Sequence, residues 1–360
     1  MIALGIVTKE KKHARLRQMM AAYESPKHQV AGFHLQDGER SFLSDVNHTS
    51  ESAPEDQIFE IGSISKVFSA LLFCVLVEEA KIDPHASISQ MSDQLRVVPE
   101  RITPENLASH TSGLPRLHVP VWKALLKPRP KDPYASFTRS DLLTWFKTWN
   151  GKAPGAKPRH VYSNLGIGLL GEAMSIQEGR PFLDLLTEKV IETLGLKDTV
   201  QHLREDQTPR FMQPRNSKGG AVPSWTFQAI ALAGCLKSTP ADLARFAEGV
   251  IRAVNAPSST LDRAICRSVG PVFGLGPKER MEPVAQCFGW LSMRFDKTQP
   301  AFLNHEGATA GSTCAIYICP AKNEAFGILS NNGVAASLWS GLKFSRTGQP
   351  KQAQELFALG

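Results

Sequence analysis

The longest apolar run in the chain is at residues 67–80 (VFSALLFCVLVEEA). It has neither Gly nor Pro, which predicts a helix buried on most of its surface. Residues 30–45 (VAGFHLQDGERSFLSD) predict a hairpin that turns at Asp37-Gly38. After Asp83-Pro84 the pattern becomes helical with long loops, through roughly residue 257. Its clearest stretch is ADLARFAEGVIRAV at 241–254, an amphipathic helix. Strand patterns return at 287–296 and 301–330. There, 315–319 reads as a strand ended by Pro320, and a turn at 321–324 leads to a second strand at 325–329. The pattern predicts a sheet lobe built from both chain ends (1–83 and 258–360) and a mostly helical lobe (84–257). At 360 residues the chain is long enough for both.

Candidate chemistry begins where the apolar run begins. In FEIGSISK, Lys66 follows Ser63 by three residues at the start of the predicted helix. Residues three apart share a helix face, so hydroxyl and amine meet at the first turn. Gly62 permits a tight entry with the backbone amides exposed. An amine able to take a proton beside a helix N-terminus is a place to make a nucleophile. The spacing alone is weak, because Ser340 and Lys343 repeat it before a short basic tail.

Two further elements follow. Tyr162 and Asn164 (HVYSNLGIGLLGEAM) precede another helical pattern, two residues apart, so their side chains can point the same way. By itself this also fits a buried Tyr and a capping Asn. His305-Glu306-Gly307 (FLNHEGATAGSTCAIYICP) lies on or just before the first strand of the late hairpin. Gly307 lets another backbone or a ligand approach closely. His305-Glu306 is not the start of a zinc-binding H-E-x-x-H, since position 309 is Thr, and no metal or other cofactor is expected.

In the order S-x-x-K, Y-x-N, H-x-G, the three elements resemble the class C β-lactamase-related serine hydrolases. That family spans β-lactamases, DD-carboxypeptidases, D-amino-acid-specific peptidases, esterases and some acyltransferases. The resemblance covers about residues 55 to 335. LASHTSGLP (107–115) is similar to the family's LLTHTSGLP loop, and APGAKPRHVYSNLGIGLLGEAM to its PG-x-x-x-x-YSN-x-G stretch. LGLKDT (194–199) and AGCLKSTPADLARF (233–246) resemble two more of its segments. The resemblance implies an α/β (α+β) fold of the β-lactamase/transpeptidase type. An antiparallel sheet flanked by helices stands beside an all-α lobe, with the site between them.

It also implies roles. Ser63 would be the acylated nucleophile, Lys66 would help remove its proton, and Tyr162 would be the partner base that later activates water. Asn164 would orient Lys66 and the substrate amide or carbonyl. The backbone N–H groups of Ser63 and Ala308 would form the oxyanion hole. A neutral Lys66 or an ionised Tyr162 would need a shifted pKa. The family's β-lactamases carry K-T-G where this chain has His305-Glu306-Gly307. A neutral imidazole is not the fixed cation that a lysine offers a substrate carboxylate. The expected activity is therefore acyl-enzyme hydrolysis of esters or D-amino-acid-type amides. The alternatives are a true β-lactamase, an acyltransferase using the same acyl-enzyme, and a non-catalytic ligand-binding protein.

Charge adds one feature. Ten Lys or Arg fall within residues 116–160, against Asp132 and Asp141, and the rest of the chain is close to neutral. This Pro-rich, Trp-containing segment joins the HTSGLP loop to Tyr162. It reads either as solvated surface or as a steering field for anionic substrates. No nucleic-acid motif accompanies it. The six cysteines form no C-x-x-C and suggest buried free thiols in a reducing compartment. No stretch approaches a membrane span. The first residues, MIALGIV, are too short for a signal core. The chain as given is expected to be cytoplasmic, or periplasmic or secreted if a leader was removed.

Overall fold

The computed structural model describes residues 2–45, 51–118, 132, 134–149, 159–275, 284–336 and 349–359. Asp37 and Gly38 both have positive φ (49° and 85°), the mirror-image turn whose twist matches a hairpin. The turn joins β1 (Val30–Gln36) to β2 (Glu39–Ser44). The late strands are β8 (Phe302–Ala308), β9 (Thr313–Cys319) and β10 (Glu324–Ser330). Pro320 ends β9 by opening a 3-10 turn, and Asn323 reverses the chain with φ 48°.

Chain ends meet when β1 pairs antiparallel with β10, from Val30 opposite Ser330 to Gln36 opposite Glu324. The short strands β5 (Phe273–Leu275), β6 (Val284–Gln286) and β7 (Leu291–Met293) complete an eight-stranded sheet. Its order is β2-β1-β10-β9-β8-β7-β6-β5, and every described pairing is antiparallel. Strands β9 and β10 are buried along their whole length, so their sequences run apolar rather than alternating.

Helices cover both faces. On the outer face a helix at Ile2–Met20 packs with one at Gln349–Ala358. Phe302, Tyr317, Phe326 and Phe357 form the core between them and the sheet. The terminal helix is anchored by Lys12, whose buried ammonium meets Glu324 on β10 at 2.9 Å. His34 on β1 reaches the same carboxylate at 2.8 Å.

The inner face receives the apolar-run helix, observed at Ser65–Glu78 and buried from Ser65 to Leu76. Phe68 stacks on Phe246, and Phe246 on Trp290. Phe246 belongs to the helix Pro240–Asn255, which packs on β1 and β10. The helix lies within residues 84–257, whose pattern predicts a mostly helical lobe, yet its apolar face is spent on the sheet. The helical segment includes Pro104–Ala108, Arg139–Thr148 and Asn164–Glu178, of which the first and last pack beside the Ser65–Glu78 helix. No helix of the described residues is long and apolar enough to cross a membrane.

Candidate active site

The turn that carries Ser63 is fixed by a second, two-stranded sheet. β3 (Phe59–Glu60) pairs with β4 (Lys237–Ser238), and the next amide, Ile61 N–H, donates to Leu236 O at 3.1 Å. Gly62–Ile64 then forms a 3-10 turn that runs into the Ser65–Glu78 helix. Gly62 has φ 48°, and a Cβ there would stand 2.7 Å from Ala308 N. A Cβ on Gly307 would stand 2.0 Å from Ile61 O and 3.1 Å from Ser63 N. Two glycines thus let β8 lie backbone to backbone against the turn carrying Ser63. That contact sets the Ser63 and Ala308 backbones on one wall.

Lys66 sits one turn below Ser63, wholly buried, with Nζ 2.9 Å from Ser63 Oγ. Its other partner is Ala233 O at 2.5 Å. Burial, with the charge of Arg116 adding to it, holds the Lys66 amine well below the ordinary lysine pKa. The ammonium position lies 4.9 Å from the centre of the Tyr162 ring. Burial pushes the Tyr162 hydroxyl up to about 12, against the opposing pull of its hydrogen bond with Ser63. Both shifts run the same way, toward a neutral amine and a protonated phenol.

The HTSGLP loop holds Tyr162 and Asn164 from both sides. Val161 N–H donates to His110 O at 2.8 Å and Ser163 N–H to His110 Nδ1 at 3.2 Å. Ser163 caps the Asn164–Glu178 helix through Gly166 N–H, while its own hydroxyl donates to Pro115 O at 2.7 Å. Asn164 N–H donates to Arg116 O at 3.0 Å. His110 is buried, its ring packs on Tyr162, and burial holds it well below the usual histidine range. It braces the loop.

His305 lies on β8 opposite Ile316, with Nδ1 2.8 Å from the Glu306 carbonyl. Burial, reinforced by Lys66, lowers it to about 3, so the ring is neutral at ordinary pH. Asn164 departs from expectation. Its Nδ2 donates to Tyr134 Oη at 3.1 Å, and no bond to Lys66 is present among the described residues. The Ala233 carbonyl orients the amine instead, because the β3–β4 pairing brings that chain segment alongside the nucleophile helix.

Several site residues were not read from sequence. Tyr134 stacks on Phe227 at 4.8 Å and meets Trp225 edge-on at 5.1 Å. The tip of Phe227 lies 3.1 Å from a Cβ position on Gly234, which is itself 3.7 Å from Gly62. These rings form an apolar wall beside the nucleophile turn. Glu60 ties the wall down, accepting from Ser224 Oγ, Trp225 N–H and Thr309 Oγ1 at 2.6 to 2.8 Å. Arg116 is exposed and stands over the Tyr162 ring, 5.4 Å from its centre. Of the basic segment, Lys123, Lys127, Arg129, Lys131, Lys152 and Lys157 lie outside the described residues. Arg139 is paired with Glu172. The cysteines are free, and five of the six are buried.

The family model for Beta-lactamase matches residues 16–340. The D-alanyl-D-alanine-carboxypeptidase/endopeptidase AmpH of Escherichia coli is 26% identical over 285 residues, 74% of this chain and 69% of that protein. Penicillin-binding protein 4 of Amycolatopsis lactamdurans is 24% identical over 359 residues, covering 92% and 88%. A Beta-Lactamase/D-Alanine Carboxypeptidase structure from Pseudomonas syringae superposes with a TM-score of 0.74 at 22% identity, over 91% of this chain and 94% of that one. That likeness carries the fold. The family model spans most of the sequence, and the chain belongs to the beta-lactamase family of serine hydrolases.

Proposed function

We propose that the protein hydrolyses carboxylic esters and D-amino-acid-type amides through an acyl-enzyme on Ser63. The observation that carries this reading is the 2.9 Å contact between Ser63 Oγ and a wholly buried Lys66 amine. A buried, neutral amine is ready to accept a proton. Lys66 takes the Ser63 proton as Oγ attacks the substrate carbonyl. Charge developing on the carbonyl oxygen is met by the N–H groups of Ser63 and Ala308, each hole donor being worth about 3–4 kcal/mol. As the tetrahedral species collapses, the proton passes from Lys66 through the protonated Tyr162 hydroxyl to the departing oxygen or nitrogen. Water then enters by the reverse path, giving its proton back through Tyr162 and releasing the acid. The unpartnered Asn164 Oδ1 is placed to accept from a substrate amide N–H.

His305 supports esters and amides over β-lactams, because a neutral imidazole stands where the family's β-lactamases hold a lysine. The relative named as a D-alanyl-D-alanine carboxypeptidase supports the amide side of the reading. The test is intact-mass detection of an acyl adduct with p-nitrophenyl esters, a D-amino acid amide and nitrocefin. We expect the adduct on Ser63, none on Ser63→Ala, and faster turnover of esters than of nitrocefin. Undiminished turnover by Ser63→Ala sinks the nucleophile assignment. Nitrocefin outrunning every ester makes the protein a true β-lactamase.

A further inference from the structure

We infer that Arg116 is the anion-recognition residue of this site, and that preferred substrates carry a carboxylate near the scissile bond. The inference rests on the acyl-enzyme reading above. The usual candidates are unsuitable. His305 is buried and neutral, and Lys66 is buried and committed to Ser63 and Ala233. Arg116 is the exposed cation whose guanidinium lies over the Tyr162 ring, and among the described residues it makes no ion pair.

Its backbone is unusually well held for a loop residue. The preceding carbonyl, Pro115 O, accepts from Ser163, and Arg116 O itself accepts from Asn164 N–H. The side chain therefore springs from the loop that fixes both members of Y-x-N. The carboxylates that hold the Tyr134–Trp225 wall are occupied elsewhere. Glu60 serves Ser224, Trp225 and Thr309, and Asp132 serves Thr226 and Tyr134. A planar guanidinium without an ion pair among the described residues, beside the proposed catalytic phenol, suits a carboxylate better than a neutral group. The charge has a second effect, since it adds to the burial that lowers the Lys66 pKa. An arriving carboxylate offsets that charge, so recognition and amine basicity are linked.

The test compares matched ester pairs. Mono-p-nitrophenyl glutarate against p-nitrophenyl butyrate places the charge on the acyl side; p-carboxyphenyl butyrate against phenyl butyrate places it on the leaving group. In at least one pair the native protein should favour the anionic ester. Arg116→Ala should cut the anionic-to-neutral ratio of kcat/KM by about tenfold or more, chiefly through KM, and Arg116→Lys should retain only part of it, because the planar fork is lost. The pair that responds identifies the side on which the carboxylate sits. An unchanged ratio in both pairs overturns the inference. Should neither ester be turned over, calorimetric binding of glutarate to the Ser63→Ala protein decides. A tenfold loss on adding Arg116→Ala supports the inference, and equal affinity overturns it. Persistent turnover by Ser63→Ala alone instead refutes the acyl-enzyme reading and is told apart by that control.

Discussion

Replacing Gly307 by alanine should disable the site while leaving the fold largely intact. A Cβ there would lie 2.0 Å from Ile61 O, 3.0 Å from Ile61 C and 3.1 Å from Ser63 N. All three obstacles are backbone, and Ile61 is held by its bond to Leu236 O and by the β3–β4 pairing. The strain cannot be relieved by a side-chain rotation. Strand β8 must move away by at least roughly 1 Å, since a Cβ essentially never stands closer than 3.0 Å to another heavy atom. Overpacking of this kind costs about 1–3 kcal/mol of stability. The larger effect is on chemistry, since the same movement separates the Ala308 and Ser63 amides. A misplacement of ~1 Å costs about a hundredfold, and loss of one hole donor costs 10²–10³ in kcat. Gly274→Ala is the control, because a Cβ there meets nothing within 4 Å. The assay is kcat for a p-nitrophenyl ester, with thermal unfolding in parallel. A Gly307→Ala protein whose kcat stays within about threefold of the parent would refute the proposed apposition of β8 and the nucleophile turn.

Two further outcomes concern stability. His305 titrates at about 3 in the folded protein and near 6.5 when unfolded, so between those values the unfolded chain binds a proton that the native state does not. Stability should be fully present above pH 6.5 and fall toward pH 3 by on the order of 5 kcal/mol. In urea titrations across that range His305→Asn should flatten the slope, and an unaltered slope would place the acid sensitivity elsewhere. Lys12→Met should strip the buried Glu324 of its ammonium partner and cost about 3 kcal/mol or more. Lys12→Met combined with Glu324→Leu should recover most of that loss; a double variant no more stable than the single one counts against the pair.

The elements legible in the sequence were those whose signal is local. The apolar run predicted its helix, Asp37-Gly38 its turn, and Pro320 the end of β9. Ser63 and Lys66 were legible for the same reason, since helix geometry sets their separation. Tyr134 was not. It meets Asn164 across thirty residues of chain, much of it outside the described residues, and its own neighbours carry no period that points to the site. Ala233 was missed because it acts through a carbonyl, which every residue possesses. The helix Pro240–Asn255 was placed correctly along the chain, yet an amphipathic face does not say which partner covers it.

The same distinction explains the third motif. A histidine in place of lysine reads from sequence as a lost cation. In the structure the position is too dry to keep a charge on an imidazole, because β8 is pressed against the nucleophile turn and His305 faces Lys66. A second fixed cation there would raise the cost of protonating Lys66 during acylation. The exposed Arg116 instead keeps a positive charge beside Tyr162, where it adds to the burial that lowers the Lys66 pKa. On the proposed reading, acid–base work and anion recognition fall at different depths: the amine buried beneath Ser63, the guanidinium exposed over the Tyr162 ring. Restoring a lysine by His305→Lys should accordingly slow acylation by neutral esters, even where it improves the binding of carboxylated ones.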